Sequence, residues 1–192
     1  MKTMLLAVLA AAVATQAQAQ PAAQVPPGAC THRGNEAALA QRPSPLDSAE
    51  AVIAGGTVKV CYGRPSLRGR EMVGGVDPYG QPWRLGANEP TRLTVPFAAV
   101  VAGVRVAPGT YSLYVVPTAT SWEVHVNKAV DRWGIPIDAP VMAQDVGKGT
   151  VPVETMASPV ETLTMRFDTG ASPALVVEWA KARVRIPVAK AP

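Results

Sequence analysis

The residues with the clearest capacity for chemistry lie between residues 63 and 90, a stretch that contains four arginines, six glycines and four prolines. We call this stretch the Arg-rich loop. A guanidinium group stays charged at neutral pH and presents a planar fork of donors, so several together would bind a carboxylate, phosphate or sulfated group. The loop also supplies aromatic rings, an amide and a carboxylate. The predicted ligand-binding residues are therefore Arg64, Arg70, Tyr79, Trp83, Arg84, Asn88 and Glu89.

The same arginines also suit a structural role. A long loop rich in glycine and proline leaves many backbone carbonyl groups without a strand partner, and each arginine offers five N–H donors to them. In this alternative Arg84 or Arg70 pairs with Glu89, and the other guanidinium groups donate to loop carbonyls. We favour this structural interpretation and keep the ligand-binding one beside it.

Catalytic interpretations have less support in the sequence. A serine nucleophile such as Ser66 or Ser112 would need a histidine base, and the chain has no Gly-x-Ser-x-Gly turn. A hydrolase that acts on an envelope substrate, with Glu89 as its acid or base and His125 assisting, is the alternative function. A zinc site would have His125 and few other candidate ligands, so we predict no metal site and no cofactor.

The start of the chain has the pattern of a secretory signal peptide. Lys2 gives a positive charge, Met4 to Ala14 form an apolar stretch, and Ala17-Gln18-Ala19 is a small-x-small cleavage pattern. We therefore predict a signal peptide over residues 1–19, a leader rich in proline and alanine over 20–43, and a mature protein that is periplasmic or secreted. No later run of 18 apolar residues would hold the chain in a membrane.

The charge of the chain does not indicate a nucleic-acid binder. Lys2 is the only charged residue of the predicted signal, so its removal lowers the formal net charge from +4 to +3. The 12 arginines and 6 lysines are spread along the chain without a basic block, and an exported protein rarely meets nucleic acid. The partners that we predict are an anionic small molecule, a glycan or an envelope protein.

Export would affect the chemical state of the two cysteines, Cys30 and Cys61. An oxidising compartment permits a disulfide between them, which would tie the leader to the first strand of the domain. The alternative of a redox pair lacks the Cys-x-x-Cys spacing. The sequence alone leaves open whether the two cysteines are bonded.

Short alternating runs predict strands through most of the mature chain. Leu93 and Val95, for example, alternate with polar residues, and 19 prolines work against long helices. Later segments of strand length are 150–154, 160–167, 174–179 and 182–188. We predict an all-β fold, an antiparallel β-sandwich of eight or nine strands that forms a single domain over residues 44–192. Helices would be short, within residues 35–42 and around 128–133.

The run from Ser121 to Asn127 alternates in the same way. Trp122 would face the core, whereas Glu123 and His125 would face the other side of the sheet. A lone histidine in such a position is more often a satisfied surface residue than a ligand.

Several motifs of the chain resemble a known bacterial family. They are Tyr62-Gly-Arg-Pro-Ser-Leu-Arg-Gly-Arg70, Pro78-Tyr-Gly80, Trp83-Arg-Leu-Gly-Ala-Asn-Glu89 with Thr91, Pro108-Gly-Thr-Tyr-Ser-Leu-Tyr114, and Trp122 through Asn127-Lys128 with Trp133-Gly134. In this order, over about residues 44–188, they resemble domain of unknown function 2911. Pro90 stands where the family has alanine after Asn-Glu, and Pro117-Thr118 replaces a Pro-Gly turn. The resemblance implies an exported or envelope domain without an established reaction, and it supplies no catalytic residues.

Taken together, these features predict a binding or structural module of the cell envelope. Its Arg-rich loop would hold an anionic or carbohydrate-like ligand, and the hydrolase described above is the alternative.

Overall fold

The computed structural model describes residues 28–192, so the predicted signal peptide and the start of the leader lie outside the described residues. Within this range the chain forms nine β-strands and two short α-helices. The helices are α1 (Glu36–Ala40) and α2 (Ala139–Met142). The strands are β1 (Leu46–Ile53), β2 (Gly56–Gly63), β3 (Thr91–Val95), β4 (Ala99–Val101), β5 (Val104–Val106), β6 (Gly109–Pro117), β7 (Ser121–Asn127), β8 (Asp145–Asp168) and β9 (Ala174–Lys190). The predicted all-β fold with short helices is confirmed.

All nine strands belong to one antiparallel sheet, in the order β1-β2-β3-β6-β7-β8-β9-β4-β5. Strand β8 is 24 residues long and changes partner along its length, pairing first with β7 and then with β9. Irregularities between Thr155, Val160 and Thr164 interrupt the β8–β9 ladder, and such bulges bend a strand. The layers expected of a sandwich are thus parts of one continuous sheet that folds over its core.

Side chains from distant parts of this sheet meet in a single core. Leu93 of β3, Val124 of β7 and Ile186 of β9 are fully buried and belong to one cluster. Successive side chains of a strand point to opposite faces, so every second residue of β3 is buried, as its alternation predicts. None of the helices in residues 28–192 has the length and apolar composition needed to cross a bilayer.

One predicted helix forms and the other does not. Residues 35–42 contain α1, whose N-cap Asn35 accepts a hydrogen bond from the Ala38 amide. Residues 128–133 form no helix, because local side chains occupy the backbone groups that a helix would use. The Asn127 side chain accepts from the Ala129 amide, and Arg132 donates to the Ala129 carbonyl.

The Arg-rich loop is ordered and adds to the sheet at two places. The Leu67 amide donates to the Glu161 carbonyl at 2.9 Å, which pairs the start of the loop with β8. Trp83 and Val115 exchange two backbone hydrogen bonds of 2.7 and 2.8 Å, which pairs its later part with β6. The loop is therefore an integral part of the body of the domain.

The described part of the leader, residues 28–43, packs on the domain. A disulfide joins Cys30 to Cys61 of β2, with a Cα–Cα distance of 5.7 Å. Two residues after its other end the carbonyl of Pro45 accepts a hydrogen bond from the amide of Arg64. Both ends of the segment are thereby tied to the sheet.

Candidate ligand-binding site

A cleft of about 350 Å³ opens between the Arg-rich loop and strands β7, β8 and β9. The loop contributes Glu71 and Tyr79 to its wall, and the sheet contributes Trp122, Thr155 and Lys181. The cleft lies beside the irregular part of the β8–β9 ladder, where the strands leave a gap in their pairing. Bulges commonly re-aim side chains next to functional sites.

The cleft combines an aromatic ring with polar groups of both charges. Tyr79 is 49% exposed, so its ring is accessible to a ligand at the wall of the cleft. Glu71 and Lys181 supply one carboxylate and one ammonium group, and Thr118 and Thr155 supply hydroxyls. Such a wall can pack against an apolar face of a ligand and hydrogen-bond to its polar edge.

Trp122 of the cleft wall belongs to a cluster of three tryptophans. Trp83 of the loop stacks on Trp179 at a centroid distance of 5.4 Å and meets Trp122 edge-on at 5.5 Å. Both arrangements are favourable for aromatic pairs. The indole N–H of Trp122 is buried without a hydrogen-bond partner in the described part of the chain. A ligand oxygen would reach it only after a neighbouring side chain moves.

Comparison with protein families adds one result. The family model for a protein of unknown function, DUF2911, matches residues 44–188. The chain belongs to the DUF2911 family. Comparison with curated proteins and with solved structures found no match. The resemblance drawn from the sequence motifs is confirmed, and the matched DUF2911 region contains every residue that lines the cleft.

The arginines of the Arg-rich loop donate hydrogen bonds to groups of the protein itself. Arg64 donates to the Leu163 carbonyl at 3.1 Å, and Arg70 donates to the carbonyls of Ser66 and Leu67, both at 3.0 Å. Arg84 donates to the carbonyls of Gly86 and Asn88, each at 3.3 Å. These contacts follow the structural interpretation, in which guanidinium groups satisfy carbonyls that no strand reaches.

The other predicted residues of the loop are divided between the core, the surface and the leader. Trp83 is only 4% exposed and belongs to the core, whereas Tyr79 reaches the cleft. The Asn88 amide donates to the Ser44 carbonyl at 2.9 Å. The structure therefore brings Arg84 and Asn88 together, and it places Tyr79 of the predicted set in the cleft.

Glu89 does not have the partner that we predicted. Its carboxylate is bound by Arg42 of the leader and not by Arg70 or Arg84. The backbone amide of Arg33 donates to it as well, at 2.6 Å. Burial raises the pKa of this carboxyl, but the hydrogen bonds from Arg42 and Arg33 outweigh that effect and hold the pKa below its usual value.

The hydrolase alternative required Glu89 to open into a cleft beside His125. Glu89 is instead 4% exposed and saturated by the leader, and His125 does not line the small cavity that it faces. A carboxylate held as a salt-bridge partner is a poor general acid or base, because its proton-transfer role needs a free lone pair and access to substrate.

His125 lies in a polar cluster that the sequence did not reveal. Its Nδ1 is 2.8 Å from Oδ2 of Asp145 and its Nε2 is 3.0 Å from Oε1 of Glu123. The Tyr114 ring stacks on the imidazole at 4.3 Å, and its hydroxyl donates to Asp145 at 2.7 Å. Burial, together with the hydrogen bond to Asp145, raises the pKa of Tyr114. The alternation in β7 predicted which face of the sheet His125 lies on. It could not predict the contact with Asp145, because Asp145 belongs to β8 and its position beside His125 depends on how β7 and β8 pair.

This cluster leaves no imidazole nitrogen free for a metal ion. Both nitrogens of His125 face carboxylates, and the side chain is 8% exposed. Within residues 28–192 no group of three or more histidine, cysteine or acidic side chains is arranged to hold a metal. The geometry is that of a polar network that ties β6, β7 and β8 together.

Proposed function

We propose that this protein is an exported binding module of the cell envelope and that its cleft holds a carbohydrate-like ligand. The observation that carries the proposal is the exposed Tyr79 ring set among hydroxyl, carboxylate and ammonium groups. A sugar ring presents an apolar C–H face and an equatorial belt of hydroxyls. The cleft offers a matching surface for each, and its volume of about 350 Å³ is within the range of small-ligand sites.

The charges of the cleft favour a neutral or weakly charged sugar over a strongly anionic ligand. Its wall carries one acidic side chain, Glu71, and one basic side chain, Lys181. The loop arginines that would attract an anion donate instead to protein carbonyls. Of the two ligand classes that we predicted, the carbohydrate-like one therefore fits this cleft better.

Two features support export. The chain starts with a signal-like segment, and Cys30 and Cys61 form a disulfide, which is characteristic of oxidising compartments outside the cytosol. A periplasmic or secreted binding module would meet glycans of the envelope.

The proposal can be tested by titrating residues 20–192 with neutral oligosaccharides and amino-sugar oligomers. Binding would be followed by calorimetry and by chemical-shift changes of the tryptophan indole signals. We expect at least one glycan to bind and to shift the Trp122 indole resonance, because Trp122 lines the cleft. Absence of binding across the panel would contradict the proposal.

Matched variants locate the site. Tyr79→Ala removes an exposed ring and should weaken binding roughly tenfold, as expected for an aromatic anchor in an interface. Val76→Ala changes another exposed apolar residue of the same loop that does not line the cleft, and it should leave affinity unchanged. Equal affinities of the two variants would place the glycan elsewhere.

A further inference from the structure

A second cavity, of about 70 Å³, lies where the leader crosses the sheet, and it shares no residue with the cleft. Three arginines line it: Arg33 from the leader, Arg92 from β3 and Arg132 from the segment after β7. His32 and Glu89 complete its polar lining together with the acidic Asp131.

The register of the sheet explains how this cavity is assembled. Cys61 of β2 is the cross-strand partner of Arg92 in β3, and directly opposed residues of an antiparallel pair point to the same face. Because Cys30 is bonded to Cys61, the leader residues that follow it lie over the Arg92 side chain. Both terminal nitrogens of Arg92 contact Thr31, which confirms that placement.

Positive charge exceeds negative charge around the cavity. Glu89 is already neutralised by Arg42, and Asp131 pairs with Arg33 at 2.9 Å. No carboxylate within residues 28–192 lies within 4.0 Å of the guanidinium groups of Arg92 and Arg132. Burial lowers the pKa of both arginines, and nearby acids only partly offset this. Two half-buried cations within residues 28–192 are therefore left without an ion-pair partner.

Two residues that line the cavity also have a polar atom that lacks a hydrogen bond. Nη2 of Arg132 and Nδ1 of His32 are buried and have no partner in the described part of the chain. The other nitrogens of Arg132 donate to nearby carbonyls, including that of Gly134 at 2.8 Å, so its guanidinium is held in place while Nη2 stays unused. A buried donor without an acceptor, such as Nη2 of Arg132, is uncommon and calls for a ligand or an ordered solvent species.

We propose that this cavity binds a small tetrahedral oxyanion, phosphate or sulfate. Its oxygens would accept hydrogen bonds from Arg92 and Arg132, which are the charge-assisted bonds that guanidinium groups form best. At about 70 Å³ the cavity has a fifth of the volume of the cleft, about 350 Å³, and therefore suits a small anion better than a nucleotide or a sugar. The site would hold the anion between the leader and the sheet.

Isothermal titration calorimetry with inorganic phosphate and, separately, with sodium sulfate tests the proposal. Sodium chloride at matched ionic strength is the reference. Calorimetry is preferable to a melting assay, because phosphate and sulfate stabilise many proteins by exclusion from their surface. We expect saturable binding of about one anion per chain for phosphate or sulfate and none for chloride. Absence of a saturable signal for both oxyanions would overturn the proposal.

Charge-removing variants show whether the binding belongs to this cavity. Arg132→Gln should weaken oxyanion binding about tenfold or more, as expected from loss of a charge-assisted hydrogen bond. Since Arg132 also holds loop carbonyls, Arg92→Gln serves as the second variant, with circular dichroism to check folding. Arg105→Gln removes an exposed charge of β5 and should bind like the parent protein. Parent-like affinity in a folded Arg92→Gln variant would refute the site.

Discussion

The Arg42 guanidinium donates two hydrogen bonds to the Glu89 carboxylate, from Nη1 to Oε2 at 2.7 Å and from Nη2 to Oε1 at 2.9 Å. The two side chains are only 12% and 6% exposed. Arg42 also lies over the Trp133 ring, 5.7 Å from its centroid. The leader, the Arg-rich loop and the segment after β7 therefore converge on one buried ion pair.

Removal of Arg42 should be strongly destabilising. Arg42→Ala leaves the Glu89 carboxylate buried without its main partner, and breaking a buried pair in this way costs about 3 to 5 kcal/mol. For a domain of this size that corresponds to a fall in Tm of roughly 6 to 20 °C. Scanning calorimetry of Arg42→Ala, compared with the exposed control Arg105→Ala, measures this fall in Tm. A fall no larger than that of the control would show that Arg42 and Glu89 are not a stabilising pair.

The acid stability of the protein should depend on Glu89. Its folded pKa lies below the unfolded value, so the ionised carboxylate contributes stability that is complete above about pH 4.3, the usual glutamate pKa. That contribution is lost as the pH falls through the lower, folded pKa. The difference in free energy of unfolding between the parent protein and Glu89→Gln should therefore shrink below about pH 4.3.

Urea unfolding from pH 7 to pH 2.5 provides the measurement. Glu36→Gln is the matched control, because Glu36 is an exposed carboxylate of the leader with only a histidine partner. Its difference from the parent should stay small throughout. A Glu89→Gln difference that is constant over this pH range would mean that the Glu89 pKa is not depressed in the folded state.

The sequence predicted the class of the fold because burial follows alternation along single strands. The alternation at Leu93 and Val95 predicted a strand, which is β3, and Trp122 is buried in the core as its position in the alternation predicted. It could not show that residues 150–154 and 160–167 are one strand, since the residues between them lie at bulges. Bulges depend on the partner strand and leave no periodic signal.

The sequence could not predict the ion-pair partner of Glu89 for a related reason. Arg70 and Arg84 are near in sequence, whereas Arg42 is 47 residues away and comes from the leader, which has no apolar periodicity of its own. The disulfide joins the leader to β2, and the sequence left open whether that bond forms. Tyr79 could be assigned to the Arg-rich loop, but its neighbours Thr155 and Lys181 could not be found without the sheet order.

The close approach of the Arg-rich loop to β2 should make Gly63 intolerant of a side chain. A Cβ atom at Gly63 would overlap the Ala87 carbonyl, while the Ala87 amide donates to the Gly63 carbonyl at 3.2 Å. Gly63→Ala should therefore cost about 1 to 3 kcal/mol by overpacking and loosen the loop. Trypsin should then cut faster after Arg68 and Arg70, which are exposed.

Gly28→Ala is the control for this substitution, because a Cβ there meets nothing within 4 Å. Rates of loop cleavage and urea unfolding would be compared for the two variants. If Gly63→Ala were cleaved no faster than Gly28→Ala and unfolded at the same urea concentration, the loop would not rest against β2.

The disulfide should stabilise the protein and should be required for the position of the leader. Cys30 and Cys61 are separated by 31 residues, and closing a loop of that length restricts the unfolded chain by roughly 3 to 4 kcal/mol in the chain-entropy model. The free energy of unfolding of the double variant Cys30→Ser/Cys61→Ser should be lower by that amount, so the variant should unfold at a lower urea concentration. Because the disulfide joins the leader to β2, the variant should also expose the Arg33 amide, which donates to Glu89, to hydrogen exchange, while the amides of β6 and β7 stay protected. Unchanged exchange at Arg33 would show that Arg42 and Glu89 hold the leader without the disulfide, and an unchanged unfolding midpoint would show that the cross-link contributes no net stability.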